Sequence, residues 1–330
     1  EIEHTKPLAL RQCSFERIYF SRGNDPLIYQ QRKRLGANLA PRIMNVLGED
    51  INRSFFSYIP NTAETCFLGL LEAVGGALRC IEADAIWDKI QDGSVTRDDL
   101  SKLNHTRVKA ELIAHKDQRL RTFITHDAAR RDLVTHIYDI TRGLIERDDT
   151  LVVVDDSIVR GTTLRESIIT SLSQLYPKRI VIVSSAPPIM YPDCYGIDMS
   201  QIGKFIAFEA AIALTKETGK DKLLDEIANK CKEQEKLPTT QIQNQVRALY
   251  EQFSLKEISC KIAELVRPTD LDWNGQLDVV YQDVNGLRAA MPDYTGDWYF
   301  TGDYPTPGGN AVVNRAFLNW HSGNDSKRAY

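Results

Sequence analysis

The chain has 330 residues, of which 42% are hydrophobic and 26% charged, so it can bury a sizeable core as one large or two small domains. Its formal net charge of -4 gives no general pull towards nucleic acid. No apolar run approaches the roughly 18 residues of a membrane span, and no signal peptide is visible at the start. The six cysteines (Cys13, Cys66, Cys80, Cys194, Cys231 and Cys260) form no Cys-x-x-Cys pair, so reduced thiols in a cytoplasmic protein are expected. The first residue is Glu1 rather than Met, which makes a piece of a longer polypeptide the expectation.

Residues 1–12 read as an incoming linker. In residues 13–23, Cys13 and Phe15, then Ile18 and Phe20, fall at alternate positions and predict a strand. Residues 25–47 predict a long helix with Leu35, Leu39 and Ile43 on one face and Lys33 on the solvated one. Residues 54–59 predict a second strand, followed by the polar turn Pro60-Asn61-Thr62-Ala63-Glu64-Thr65 and a helix over 66–78. Residues 79–104 read as a helical insert with a turn at Asp92-Gly93 and Thr96 as an N-cap facing Asp99. A third strand is expected over 108–114 and another over 136–140. Between them, residues 115–132 are charged and aperiodic, with His126 as a surface histidine.

Residues 151–172 carry the chemistry. Leu151, Val152, Val153 and Val154 read as a buried parallel strand. Asp155 and Asp156 follow, then a short turn from Ser157 to Gly161, and Thr162-Thr163 opens a helix with Leu164, Ile168, Ile169 and Leu172 apolar. Backbone N–H groups and the positive dipole end at the helix start suit a phosphate. Two carboxylates at the strand end suit sugar hydroxyls or Mg²⁺. A phosphate seat and a hydroxyl or metal seat one turn apart describe a pentose 5-phosphate.

A further parallel strand is expected over 179–185, leading into Pro187-Pro188 and a Tyr195-Gly196-Ile197-Asp198 turn, in which Asp198 either faces the ribose or, as the preferred reading, caps the next helix. Residues 204–266 read as mostly helical and 279–291 as mixed. Residues 297–303 predict a hairpin turned around Thr301-Gly302, residues 310–320 a closing helix and 324–330 a frayed end. Repeated strand–helix–strand units predict an α/β, doubly wound, mainly parallel sheet with helical inserts and a C-terminal hairpin plus helix. The loops near Asn61, Asp155 and Pro187 then share the carboxyl end of the sheet, where ligands bind.

The string VVVDDSIVRGTT resembles the phosphoribosyl pyrophosphate (PRPP) motif of type I phosphoribosyltransferases, and DDSIVRGTT resembles one branch of them, the glutamine PRPP amidotransferases. YQQRKRLG is similar to that family's Tyr-x-x-Arg-x-x-x-Gly pattern at Tyr29, Arg32 and Gly36. Residues 60–65 fall where the family keeps its pyrophosphate loop, with Asn61 in place of the usual Asp and Ala63 in place of the last Ser, and RTFI at Arg121 resembles its flexible catalytic loop. The likeness runs from about Gln12 to His321.

This resemblance implies a division into a linker (1–12) from a missing glutaminase domain, a transferase core (13–205) with an insert at about 79–104, and a mostly helical extension (206–330). It implies transfer of ammonia to C1 of PRPP with loss of pyrophosphate, giving 5-phosphoribosylamine, the first step of purine synthesis. Asp155, Asp156, Arg121 and Tyr29 are then the catalytic candidates. Ser157, Arg160, Gly161, Thr162 and Thr163 seat the 5-phosphate. Asn61, Thr62, Ala63 and Glu64 form the pyrophosphate loop, and Asp155 and Asp156 hold Mg²⁺. The family makes its ammonia from glutamine with an N-terminal cysteine, which neither Glu1 nor Cys13 replaces, so the chain is expected to lack glutaminase activity. Some members carry an iron–sulfur cluster. Cys13 matches one such position and Cys194 lies one place from another, but the paired Cys-x-x-Cys near the end is absent, so no cluster is expected. The family also implies a homo-oligomer and feedback by purine nucleotides. No nucleic acid and no membrane are expected as partners. A PRPP-binding sensor or a nucleobase phosphoribosyltransferase is the alternative.

Overall fold

A computed structural model describes residues 10–60, 62–103, 108–116, 138–194, 199–324 and 329. The strands are β1 (Ser54–Tyr58), β2 (Lys109–Ala110), β3 (Ala114–Lys116), β4 (Tyr138–Ile140), β5 (Thr150–Asp155), β6 (Arg179–Ser184) and β7 (Gln276–Tyr281). Five of them make one sheet in the order β2-β1-β5-β6-β7, every pair parallel, while β3 and β4 pair antiparallel as a separate ribbon. The two central strands are apolar on both faces: Leu151 to Val154 and Ile180 to Val183 are all buried, as an enclosed parallel sheet requires.

From β1 the chain moves one way, to β2, and from β5 it moves the other way, through β6 to β7. Parallel crossovers are right-handed. The helix Glu64–Gln91 after β1 therefore covers one face, and the helices between β5 and β7 cover the other. The order reverses between β1 and β5, and the crevice at such a switch point is where open α/β sheets place ligands.

Helix Pro26–Leu47 starts where the Asp25 side chain accepts from the N–H groups of Leu27 and Ile28, with Pro26 at its first position. It crosses helix Glu64–Gln91 with almost no space between the backbones. A Cβ on Gly36 would lie 1.8 Å from the Cys66 carbonyl oxygen, and one on Gly69 would lie 2.0 Å from that of Lys33. The family-like glycine is thus a helix-crossing residue. The insert is a continuation of helix Glu64–Gln91, then a turn, then helix Arg97–Leu103. Thr96 Oγ1 donates to Asp99 Oδ2 at 2.6 Å and accepts from the Asp99 N–H, as the cap reading anticipates.

Several expectations are corrected. Residues 13–23 form no strand: apart from a single bridge between Cys13 and Gly296, the segment is helix Ser14–Ile18 and a turn, because Phe15 and Ile18 both face the core one helical turn apart. The stretch expected as one strand over 108–114 divides into β2 and β3, in different sheets. The hairpin at 297–303 is the helical turn Trp298–Thr301, ended by Gly302 at φ 71°, whose N–H donates to the Trp298 carbonyl. Residues 279–291 comprise the end of β7 and helix Val284–Ala290. The closing helix is Pro307–His321.

Candidate active site

β5 delivers the two acids to the carboxyl end of the sheet. The N–H of Asp156 donates to Oδ1 of Asp155 at 2.8 Å, and Ser157 Oγ donates to Oδ1 of Asp156 at 2.9 Å. The residues after β6 fix the backbone beneath them. Ser185 N–H reaches the Asp155 carbonyl, Ala186 N–H the Asp156 carbonyl, and Ser185 Oγ the Asp156 carbonyl at 3.0 Å. From the β1 side, the Thr62 hydroxyl bonds the Asp156 carboxylate. Loops after three neighbouring strands therefore converge on one acid pair.

The turn after the acids ends at Gly161, whose φ of 70° is the left-handed conformation. A side chain there would also press on Val266 Cγ1 at 3.0 Å and on Ile206. Only glycine meets both demands. Arg165 N–H then donates to the Gly161 carbonyl and the chain is helical from Thr162. The N–H groups of this first turn have no carbonyl before them to bond, which leaves them for an anion. The helix runs through a π-helical stretch, Leu164–Ile169.

These pieces border one cavity of about 590 Å³, the size of a small-ligand site. Its floor is Asp155 to Leu164. Thr62, Ile59 and Pro60 close one side, and Phe15, Tyr19, Phe20 and Met199 supply an aromatic and apolar wall. Burial pushes the Asp155 carboxyl well above the usual range, and the charge of Asp156 adds to the effect. Burial also raises Asp156, opposed by its hydrogen bonds from Ser157 and by the positive charge of Arg32. The Tyr19 phenol is raised by burial and by the two acids. Beneath the acids, the buried Cys66 thiol, bonded to Ser185, is pushed up to about 12 and stays a thiol.

Of the sequence-derived candidates, Asp155, Asp156, Ser157, Arg160, Gly161, Thr162, Thr163 and Thr62 meet in this cavity. Ala63 and Glu64 do not line it: Ala63 faces the core, and Glu64 opens the helix and bonds the Tyr58 hydroxyl. Tyr29 also lies outside this lining. It sits half-buried on helix Pro26–Leu47 near Lys33, and it is Arg32, one turn on, whose charge reaches Asp156. Arg121, Asn61, His126 and Asp198 lie outside the described residues. The aromatic wall and Met199 carried no local signal. Phe15, Tyr19 and Phe20 arrive by long-range packing, the N–H of Gly296 bonding the Gln12 carbonyl and that of Ser14 the Gly296 carbonyl.

An implied Mg²⁺ can be tested on this donor set. Two adjacent carboxylates, both strained by burial, offer the hard oxygens it prefers. Among the described residues no cluster of three or more His, Cys, Asp or Glu surrounds them. Two carboxylates suit an ion that completes its shell with the oxygens of a bound substrate and water.

No protein-family model matches the chain. It is similar to curated amidophosphoribosyltransferases: 27% identical over 226 residues to that of Haemophilus influenzae, and 28% over 218 residues to that of Bacillus subtilis. These alignments take in 65% and 64% of this chain and 37% of each relative. The Pseudomonas aeruginosa enzyme is 30% identical over 200 residues, 59% of this chain and 33% of its own. The chain therefore spans about a third of the length of these relatives. Two solved structures share its fold. One is the B. subtilis glutamine PRPP amidotransferase complexed with ADP and GMP (TM-score 0.50, 23% identity), covering 91% of this chain and 48% of that one. The other is described as the allosteric regulatory enzyme of purine biosynthesis (TM-score 0.52, 22% identity), covering 91% and 47%. Over about two thirds of its length the chain is thus similar in sequence to amidophosphoribosyltransferases, and it shares the type I phosphoribosyltransferase fold of their solved structures.

Proposed function

We propose that this chain is the phosphoribosyl-transfer half of an amidophosphoribosyltransferase, joining ammonia to C1 of PRPP with release of pyrophosphate to give 5-phosphoribosylamine. The observation that carries the reading is the meeting, in one cavity, of the paired carboxylates Asp155 and Asp156 with the Ser157-to-Thr163 turn and Thr62. The turn seats the 5-phosphate and fixes the ribose above the acids. As the C1–O bond to pyrophosphate lengthens, positive charge grows on the ribose ring, and the acid pair lies where it stabilises that charge. Asp155 and Asp156 would hold Mg²⁺ together with substrate oxygens, and the ion would supply neutralising charge to the leaving pyrophosphate. The lone pair of ammonia forms the new C1–N bond on the opposite face and inverts the carbon. No covalent nucleophile is required.

Phe15, Tyr19, Phe20 and Met199 also line the cavity. Their part is to keep water, the competing nucleophile, from C1. Glutamine as the ultimate ammonia source, a homo-oligomer and a cytoplasmic location belong to the same proposal. So does feedback by purine nucleotides, supported by the ADP and GMP in the B. subtilis complex. No helix among the described residues is long and apolar enough to cross a membrane.

The test is pyrophosphate release from PRPP and Mg²⁺ by the 330-residue chain, with ammonium, glutamine, a purine base or no nucleophile added. Release stimulated by ammonium and not by the base supports the reading. Release only with a base makes the chain a nucleobase transferase. PRPP binding without release under any condition makes it a sensor.

A further inference from the structure

Arg32 is 5% exposed, a rare environment for a guanidinium. Its Nε donates to the Arg17 carbonyl at 3.1 Å and its Nη2 to the Ser21 carbonyl at 2.8 Å. A Cβ on Gly23 would lie 3.3 Å from its Nη1, so the fork is packed against that residue as well. The carbonyls it grips stand on either side of Tyr19 and Phe20. Those two rings meet edge to face with centroids 4.8 Å apart, and Phe15 stacks on Tyr19 at 6.1 Å. All three line the cavity, yet Tyr19 and Phe20 are 47% and 68% exposed, and the helix carrying Phe15 has five residues. So short a helix with exposed rings has little stability of its own. The positive charge of the same guanidinium acts on Asp156.

We propose that Arg32 is a positioning residue that fixes the aromatic wall of the active-site cavity by gripping the two ends of the Tyr19–Phe20 turn. The wall is thereby tied to helix Pro26–Leu47 by one side chain. The role needs arginine. Its planar fork bonds two separated carbonyls at once, whereas a lysine ammonium brings the same charge without that geometry. This inference rests on the transferase reading and adds to it what holds the wall in place. The consequence is a defined fault when the grip is lost. PRPP still seats in the Ser157-to-Thr163 turn, but the wall no longer keeps water from C1, and water replaces ammonia in attack, giving ribose 5-phosphate and pyrophosphate.

The experiment compares the full chain with Arg32→Lys and Arg32→Met. Turnover with PRPP, Mg²⁺ and ammonium is measured, with the share of PRPP going to ribose 5-phosphate, and amide hydrogen exchange is followed over 14–22 and 151–163. Both variants should lose on the order of 10- to 100-fold in kcat. KM for PRPP should stay within about threefold, the hydrolytic share should rise, and exchange should accelerate over 14–22 alone. Wild-type kcat and partitioning in Arg32→Lys would overturn the proposal, since charge alone would then suffice. Faster exchange throughout the chain would also overturn it, as the sign of a general folding role. Should the wild type transfer nothing to ammonium, the transferase reading fails. Exchange without substrate then decides the grip: acceleration confined to 14–22 supports it and unchanged exchange overturns it.

Discussion

The backbone N–H of Asp156 bonds the side chain of Asp155 at 2.8 Å, so the second acid of the pair helps to aim the first. Both carboxyls are held above their ordinary range by burial, and the structure bears that cost at the point where a cation and a developing ribose charge would relieve it. Replacing both by asparagine should abolish PRPP turnover, by at least about 100-fold. The fold should survive, with a melting temperature equal to or above wild type, because two buried charges are removed. Calorimetry alongside the pyrophosphate assay checks both. Retained turnover would remove these residues from the site.

Gly161 answers a different demand, at φ 70° with Val266 and Ile206 against it. Gly161→Ala should cost about 1–2 kcal/mol in stability from the left-handed backbone alone. By displacing the turn that seats the phosphate, it should also raise KM for PRPP more than it lowers kcat. Denaturant titration and steady-state kinetics separate the two effects.

How far the sequence discloses such features depends on the range of the forces behind them. The strand-and-turn logic of residues 150–163 is local. A β-branched run, two acids and a glycine-ended turn carry their own geometry, and the cavity floor could be named residue by residue. β7 escaped notice because it is an edge strand with Gln276 and Asp278 among its residues, and only Val279, Val280 and Tyr281 are buried. The segment from Ser14 to Ile18 is ambiguous because Cys13 with Phe15, and Ile18 with Phe20, each fall two apart as in a strand, while Phe15 and Ile18 fall one helical turn apart. The Gly302 turn was misread because a left-handed glycine ends a helix as readily as it turns a hairpin. The aromatic wall and the grip of Arg32 depend on contacts across the sequence, which no periodicity records.

The crossing of helices Pro26–Leu47 and Glu64–Gln91 gives a sharp stability expectation. A methyl at Gly36 meets the Cys66 carbonyl at 1.8 Å, which is backbone and cannot yield like a side chain. Gly36→Ala should destabilise by about 3 kcal/mol or prevent folding. Gly76→Ala lies on the same long helix, where the nearest atom to a new Cβ is the Arg79 side chain at 4.0 Å, and it should be neutral or slightly stabilising. Urea unfolding of the pair checks the contrast.

The insert should behave as a separable appendage. Asp99 is held well below the usual carboxylate range by its hydrogen bonds from Lys89 and from Thr96. A depressed acid contributes stability above its unfolded value near 4 and loses it as pH falls below that value. Helix Arg97–Leu103 should therefore fray on acidification, and Asp99→Asn should fray it at neutral pH. Amide exchange over that helix reads both, and PRPP turnover by Asp99→Asn should match wild type.

The central claim is that one cavity, floored by Asp155 to Thr163, carries out phosphoribosyl transfer to ammonia. Its most direct test is formation of 5-phosphoribosylamine from PRPP, Mg²⁺ and ammonium by the wild-type chain and by the double variant Asp155→Asn with Asp156→Asn. The account expects amine and pyrophosphate in equal amounts from the wild type and neither from the folded variant. Amine formation by both, or PRPP bound and left intact by the wild type, would contradict it.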